Sequence, residues 1–465
     1  MRCSPHPLLK GLFTVFIAGV SALLLSACIP HKQYRYDYAP CSSGNPIEDC
    51  QSNALQHYQS PPGENSDYLL TFIEFDDQGQ LWDRQQLNRV IAGIQKESSE
   101  RELLMVVFAH GWKHNAKAGD QNIIDFRSTL KKLSAIESGI SANTKKQPRT
   151  IVGIYLGWRG GSVSLPVMKE LSFWDRKNTA HKVGYGGVTE VLSRLEIVQK
   201  TKHSIAPDSS TRLVIIGHSF GGAVIYSALS ELLENGFVQT KGPTELVSDT
   251  QGFADLVVLI NPAFEAVRFS NLSDMSLERK SYFDSQLPVL AILTSEADNA
   301  TRIAFPMGRW FSTLFEKERT ATRYNPVTQQ EQSIDQGKAN ITTVGHFDDY
   351  KTHYLSATPA IGANDGSNYS SLQEELALFV QASDSWENDH PGSKIPFNGS
   401  TLERTHDSAG RNPYLNIRVD AQLIPDHNHI YDPRIERFVR QLIMISSQPK
   451  TLESRQFLRS QTLPE

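Results

Sequence analysis

Arg212 to Gly222 reads R-L-V-I-I-G-H-S-F-G-G and holds the densest chemistry in the chain. Leu213 to Ile216 is the apolar, β-branched run of a buried strand. Gly217, Ser219 and Gly221 then space out as G-x-S-x-G, and a helical stretch, Ala223 to Leu233, follows and ends at Asn235-Gly236. A serine at the apex of so sharp a turn has a strained backbone, which holds its hydroxyl clear of the sheet within reach of a base and a substrate. The chemistry this suits is nucleophilic acyl transfer. A hydroxyl is a weak nucleophile at neutral pH, so it needs an imidazole base, and the imidazole needs an acid to fix its tautomer. Chance alone gives about 0.15 such matches in a chain of this length, and fewer between a strand and a helix. A glycine-rich phosphate cradle is the competing use of the turn, but no Lys-Ser/Thr pair and no G-x-G-x-x-G follows the strand.

Strand, serine turn and helix together resemble the nucleophile elbow of the α/β-hydrolases. That resemblance implies the chain order serine, acid, histidine. The acid is sought after the strand Val289 to Leu293, where T-S-E-A-D offers Asp298, with Glu296 as the alternative. The histidine is sought after the strand beginning at Asn416, where D-H-N-H-I offers His427 and His429. Related bacterial esterase-like proteins end in a pattern like H-N-D-I, which places His427 at the base and His429 where an aspartate is more usual. An H-x-H metal pair is the other reading of these two rings, and it lacks an evident third ligand. The resemblance also implies an oxyanion hole. Its donors are the amide of Phe220, after the nucleophile, and the amide of Trp112 in the H-G-x loop His110-Gly111-Trp112. The H-G-G-G form is absent, which argues against a pocket of the hormone-sensitive-lipase type. No metal and no organic cofactor is called for.

Other histidines have plainer readings. His110 is expected to be a structural hydrogen bonder, His114 a solvated loop residue, and His218 a ring packed in the turn. His346 and His353 precede the last strand, which makes them poor bases on topology. Tyr155 to Arg159 follows another strand and either lines the mouth of the pocket or ends that strand with a packed Trp158.

These residues need a scaffold. Tyr68–Phe75, Leu103–Ala109, Ile151–Leu156, Leu256–Ile260, Val289–Leu293 and Asn416–Leu423 read as strands beside that of the elbow. Helical patterns fall at Trp82–Lys96, Asn122–Leu133, Thr179–Gln199 and Pro433–Ile445. Apolar strands without alternation, separated by helices, predict an α/β fold: a mostly parallel central sheet covered by helices on both faces. The expected α/β-hydrolase domain is 67–450, with a cap-like insertion at about 300–412 before the last strand and a tail at 451–465. Within the insertion Ile303, Met307, Trp310, Phe311, Leu314 and Phe315 fit one helical face, either covering the sheet or forming a lid over an acyl pocket.

The chain of 465 residues has a formal charge of −5 and a pI near 6.3. No dense basic stripe interleaved with aromatics marks a nucleic-acid binder. Arg2 and Lys10 flank the apolar run Gly11 to Leu25, and Leu25-Ser26-Ala27-Cys28 resembles the lipobox of bacterial lipoproteins. The expectation is a signal peptide over 1–27, lipidation of Cys28 and attachment to a membrane of the cell envelope. Ile29 after the cysteine points to the outer membrane, facing the periplasm. Residues 28–66 are polar and turn-rich and read as a tether. Cys41 and Cys50 remain as a pair in an oxidising compartment and are expected to form a disulfide worth roughly 2–3 kcal/mol. The reading is a membrane-tethered serine esterase or lipase acting on an ester or lipid-like small molecule. An envelope acyltransferase and a non-catalytic binding module on the same fold are its rivals.

Overall fold

Apolar strands and intervening helices build a 12-stranded, mostly parallel sheet in the computed structural model. The structure describes residues 30–144, 147–161, 166–240, 247–313, 315–359, 372–448, 452–453 and 455–456. The expected signal peptide, Cys28 and most of the tail lie outside the described residues.

In chain order the elements are β1 (Asp37–Ser43), β2 (Asn53–Tyr58), β3 (Tyr68–Glu74), α1 (Arg84–Glu100), β4 (Leu103–Ala109), α2 (Gln121–Thr144), β5 (Thr150–Gly157), α3 (Pro166–Val183) and α4 (Thr189–Ile205). Next come β6 (Arg212–His218), α5 (Phe220–Val238), β7 (Leu256–Ile260), α6 (Ser270–Glu278), β8 (Leu290–Ser295) and α7 (Phe305–Thr313). A separate hairpin, β9 (Thr320–Asn325) and β10 (Gln330–Asp335), precedes α8 (Gln336–Ile341). The chain closes with β11 (His353–Ala357), α9 (Leu372–Glu387), β12 (Lys394–Phe397), β13 (Ser400–Arg404), β14 (Tyr414–Val419) and α10 (Pro433–Ser446). The sheet order is β1-β2-β3-β5-β4-β6-β7-β8-β14-β11-β13-β12, with every pair from β3 through β11 parallel. One edge of the sheet therefore collects the carboxyl ends of β3 to β8 and of β14, and with them the loops that carry the predicted chemistry.

Two cores lie on opposite faces. Leu103, Met105 and Val107 of β4 pack with α1, α4 and α5, while Leu104, Val106 and Phe108 pack with α2 and α10. Burial on both faces is the reason these strands are apolar without alternation.

Three expectations need correction. Residues 28–66 are not simply a tether: β1 and β2 join the sheet, and Arg35 is buried behind them. Their sequences, DYAPCSS and NALQHY, carry little apolar pattern, because at a sheet edge backbone pairing supports the strands. The expected Cys41–Cys50 disulfide is present, with Cα atoms 5.9 Å apart. The insertion is only partly cap-like, since β11, β12 and β13 extend the sheet beyond β14. β11 alternates buried His353 and Leu355 with exposed Tyr354, the pattern of a half-covered strand. Asn235-Gly236 does not end α5, which runs on to Val238. Gly236 is there because a Cβ would stand 2.7 Å from the Gln251 carbonyl oxygen.

Candidate active site

The turn from β6 into α5 fixes the serine. Ser219 has φ 56° and ψ −121°, a region that L-residues enter only when their surroundings force them to. Its N–H donates to the Ile260 carbonyl (3.0 Å), and its carbonyl accepts from the Gly222 (3.0 Å) and Ala263 (3.1 Å) amides. A Cβ on Gly221 would lie 2.0 Å from the Ala109 carbonyl oxygen, and one on Gly111 would lie 2.8 Å from the Ser219 Cβ. The elbow and the loop after β4 thus press together through two glycines.

Ser219 Oγ lies 2.7 Å from His427 Nε2, and His427 Nδ1 lies 2.8 Å from Asp298 Oδ2. In the neutral imidazole, Ser219 donates to Nε2 and Nδ1–H donates to the carboxylate. The serine is 3% exposed and Asp298 fully buried. Asp298 also accepts from the Thr301 hydroxyl (2.5 Å) and from the amides of Ala300 (3.0 Å) and Thr301 (3.2 Å). Burial alone would raise its pKa, but the hydrogen bonds and charge of His427, with those of Thr301, hold it below the ordinary aspartate value.

The alternatives stand elsewhere. His429 is turned to solvent, with 74% of its side chain exposed, and pairs with Asp426. Glu296 is exposed and accepts from the Ala421 amide at 3.3 Å. Among the described residues, no group of three or more His, Cys, Asp or Glu side chains is arranged to hold a metal ion.

The histidine loop is clamped from beneath. His218 Nε2–H donates to the His427 carbonyl at 2.9 Å, and Asn261 Nδ2 donates to the same oxygen at 3.1 Å. Asn261 Oδ1 in turn accepts from the Ser295 amide. Burial first, and then the neighbouring His427, push His218 down to about 3, so it stays neutral. Asn261 escaped the sequence reading because a lone asparagine at a strand end carries no spacing signal. His346 was set aside as a base, and the structure gives it another position: its Nε2 lies 3.1 Å from the Thr301 hydroxyl. Hydrogen bonds therefore run unbroken from Ser219 through His427, Asp298 and Thr301 to His346. His353 is buried in β11.

Phe220 is the first residue of α5, where amides lack partners within the helix. The 110–112 loop is braced from the β5 end. Trp158 N–H donates to His110 Nε2 (3.1 Å), the Trp158 indole donates to the His110 carbonyl (3.1 Å), and His110 Nδ1–H donates to the Gly111 carbonyl (2.9 Å). Burial lowers His110 to about 4 and keeps it neutral in that double role. Trp158 is buried and stacks on His110 at 5.4 Å, so it follows its strand as a packed core residue. His114 is half-buried against Asp120 at 2.9 Å. Beside the elbow stands an aromatic wall that the sequence reading missed. Phe173 meets Trp112 at 5.3 Å, Phe220 at 4.8 Å and Trp174 at 5.1 Å, and Trp174 meets Phe305 at 5.7 Å.

No protein-family model matches the sequence, and no curated protein matches it. Among solved structures the chain is similar to a Trichoderma reesei cutinase in complex with a C11Y4 phosphonate inhibitor, at 14% identity and a TM-score of 0.17, over 46% of this chain and 78% of that one. It is also similar to the phospholipase PlaB from Legionella pneumophila in complex with thio-NAD, at 12% identity and a TM-score of 0.25, over 77% of this chain and 61% of that one.

Proposed function

We propose that this chain is a serine hydrolase of carboxylic esters with an α/β-hydrolase fold, tethered to a membrane of the cell envelope through Cys28. The hydrogen-bonded line Ser219–His427–Asp298 carries the reading. Ser219 Oγ attacks the ester carbonyl carbon while His427 Nε2 takes its proton. The amides of Phe220 and Trp112 hold the resulting oxyanion, and Asp298 stabilises the imidazolium. His427 passes the proton to the leaving alcohol, and the C–O bond breaks. Water then attacks the acyl-enzyme as His427 takes a proton from it. The proton returns to Ser219 Oγ as the acid leaves.

A fluorophosphonate probe tests this directly. Wild-type protein is expected to be labelled, and Ser219→Ala to show no label. His427→Ala is expected to lower the labelling rate by at least about 10³-fold. A folded wild-type protein that resists the probe ends the hydrolase reading in favour of a binding module. Product analysis with and without an added alcohol separates hydrolysis from acyl transfer.

A further inference from the structure

We infer that the carboxyl edge of the sheet, where Ser219 stands, lies against a lipid bilayer, so that an ester substrate enters the site from the lipid side. The inference rests on the tethering reading of Cys28 and adds to it an orientation and a contact surface.

The first observation is where the chain enters the fold. Glu74, at the carboxyl end of β3, accepts hydrogen bonds from the amides of Tyr34 (2.9 Å) and Arg35 (2.7 Å). The buried Arg35 guanidinium donates to the Ala116 carbonyl at 2.9 Å and stacks on Phe72 at 4.1 Å. His31 lies on Trp82 with ring centroids 4.8 Å apart. The entering segment is thus locked to the carboxyl edge. Cys28 precedes Pro30 by two residues, so covalent geometry keeps it within about 7 Å of that point. β3 and β6 are separated by β5 and β4, so the strand that holds the entering segment ends about 14 Å from the strand of Ser219, in strand spacings, along the same edge.

The second observation is on the other side of the serine. After β8 the chain turns through Ala300–Ala304 into α7. Phe305 faces inward and reaches the aromatic wall of the site. Ile303, Met307 and Trp310 are 48%, 65% and 52% exposed, spaced one helical turn apart, and the nearby Phe315 is 98% exposed. An apolar stripe of this kind on the exposed side of a helix marks an interaction surface. Tryptophan and long apolar side chains suit the boundary between headgroups and acyl chains. The entering segment, held at the end of β3, and α7, which follows β8, lie on either side of β6 in the strand order, and the inferred bilayer lies along that edge.

The test uses the mature full chain on phosphatidylethanolamine–phosphatidylglycerol vesicles. A nitrobenzoxadiazole label at Met307→Cys is expected to shift to shorter wavelength and to be quenched by spin-labelled lipid. A label at Ile205→Cys, exposed at the opposite edge of the sheet, is expected to do neither. Equal solvent exposure of both labels on vesicle-bound protein overturns the inference. So does a shift at residue 307 that grows with protein concentration without vesicles, which identifies a second copy of the chain as the occupant. Met307→Glu gives a second readout: a loss of five- to tenfold in hydrolysis of a vesicle-borne ester, with a soluble short-chain ester unaffected. Equal loss on both substrates also overturns it. The mass of the Cys28 peptide reports the tether separately, and the labels report orientation whether or not the chain is a hydrolase.

Discussion

Thr301 holds the buried side of the acid. Its hydroxyl donates to Asp298 and receives a hydrogen bond from His346, which burial, and then the charge of Arg418, lower to about 4 and keep neutral. Removing a donor from a buried carboxylate costs about 1.5–3 kcal/mol. Thr301→Val is therefore expected to lower stability by about 1.5–3 kcal/mol and, by loosening Asp298 beneath His427, to lower kcat by up to about 10²-fold with little change in KM. Thr301→Ser should restore both, and an unchanged kcat in Thr301→Val would show that the backbone amides suffice to hold Asp298. The sign for Asp298 itself is that of a depressed acid. Its contribution is present above the ordinary aspartate value and is lost only as pH falls through the lowered one. Ser219, His427 and Asp298 could be read from the sequence because a motif and a chain order point to them. His346, Thr301 and Asn261 could not, since their partners are distant in sequence and their spacing is unremarkable.

At the scale of elements, the loop after β4 and the β6–α5 turn are one mechanical unit. Gly111 sits where any side chain would strike the serine's own Cβ. Gly111→Ala is expected to push the loop off the elbow, misplacing the Trp112 amide and lowering kcat by about 10²-fold or more. Thermal unfolding should change far less than activity. A parallel collapse of both would mean that the loop supports the fold rather than the chemistry. The central strands were plain in the sequence because burial on both faces leaves them unbroken apolar runs. The flanking strands β1, β2, β11, β12 and β13 were not: β1 buries no side chain, β11, β12 and β13 bury only alternate ones, and β2 buries the polar Asn53 and Gln56. Helix α5 passing through Asn235-Gly236 has the same kind of cause: a contact with Gln251 outweighs a local stop signal.

At the scale of the whole molecule, α3, the segment after β7 and α7 converge on one buried carboxylate. Glu265, 2% exposed, pairs with Lys177, with Arg268 at 2.9 Å and with Arg309 at 3.0 Å. Burial would raise its pKa, but Lys177 first and then the arginines bring it down to about 2 from 4.5. Three cations share one anion, so burial outweighs Glu265 at Lys177, whose own pKa is lowered. The stability Glu265 supplies is present above pH 4.5 and fades as pH falls toward 2. Glu265→Gln is expected to cost about 3–5 kcal/mol at neutral pH and to flatten that acid-side loss in denaturant titrations. An equally steep loss in the variant would assign it to other carboxylates.

A sheet this wide has two outer margins, and both could in principle recruit further strands from another molecule. β1 carries Pro40 and β12 carries Pro396, residues with no amide hydrogen to offer a newcomer. Growth of the ladder is interrupted at each margin, which keeps copies of the protein from zipping into fibres even when they are crowded together.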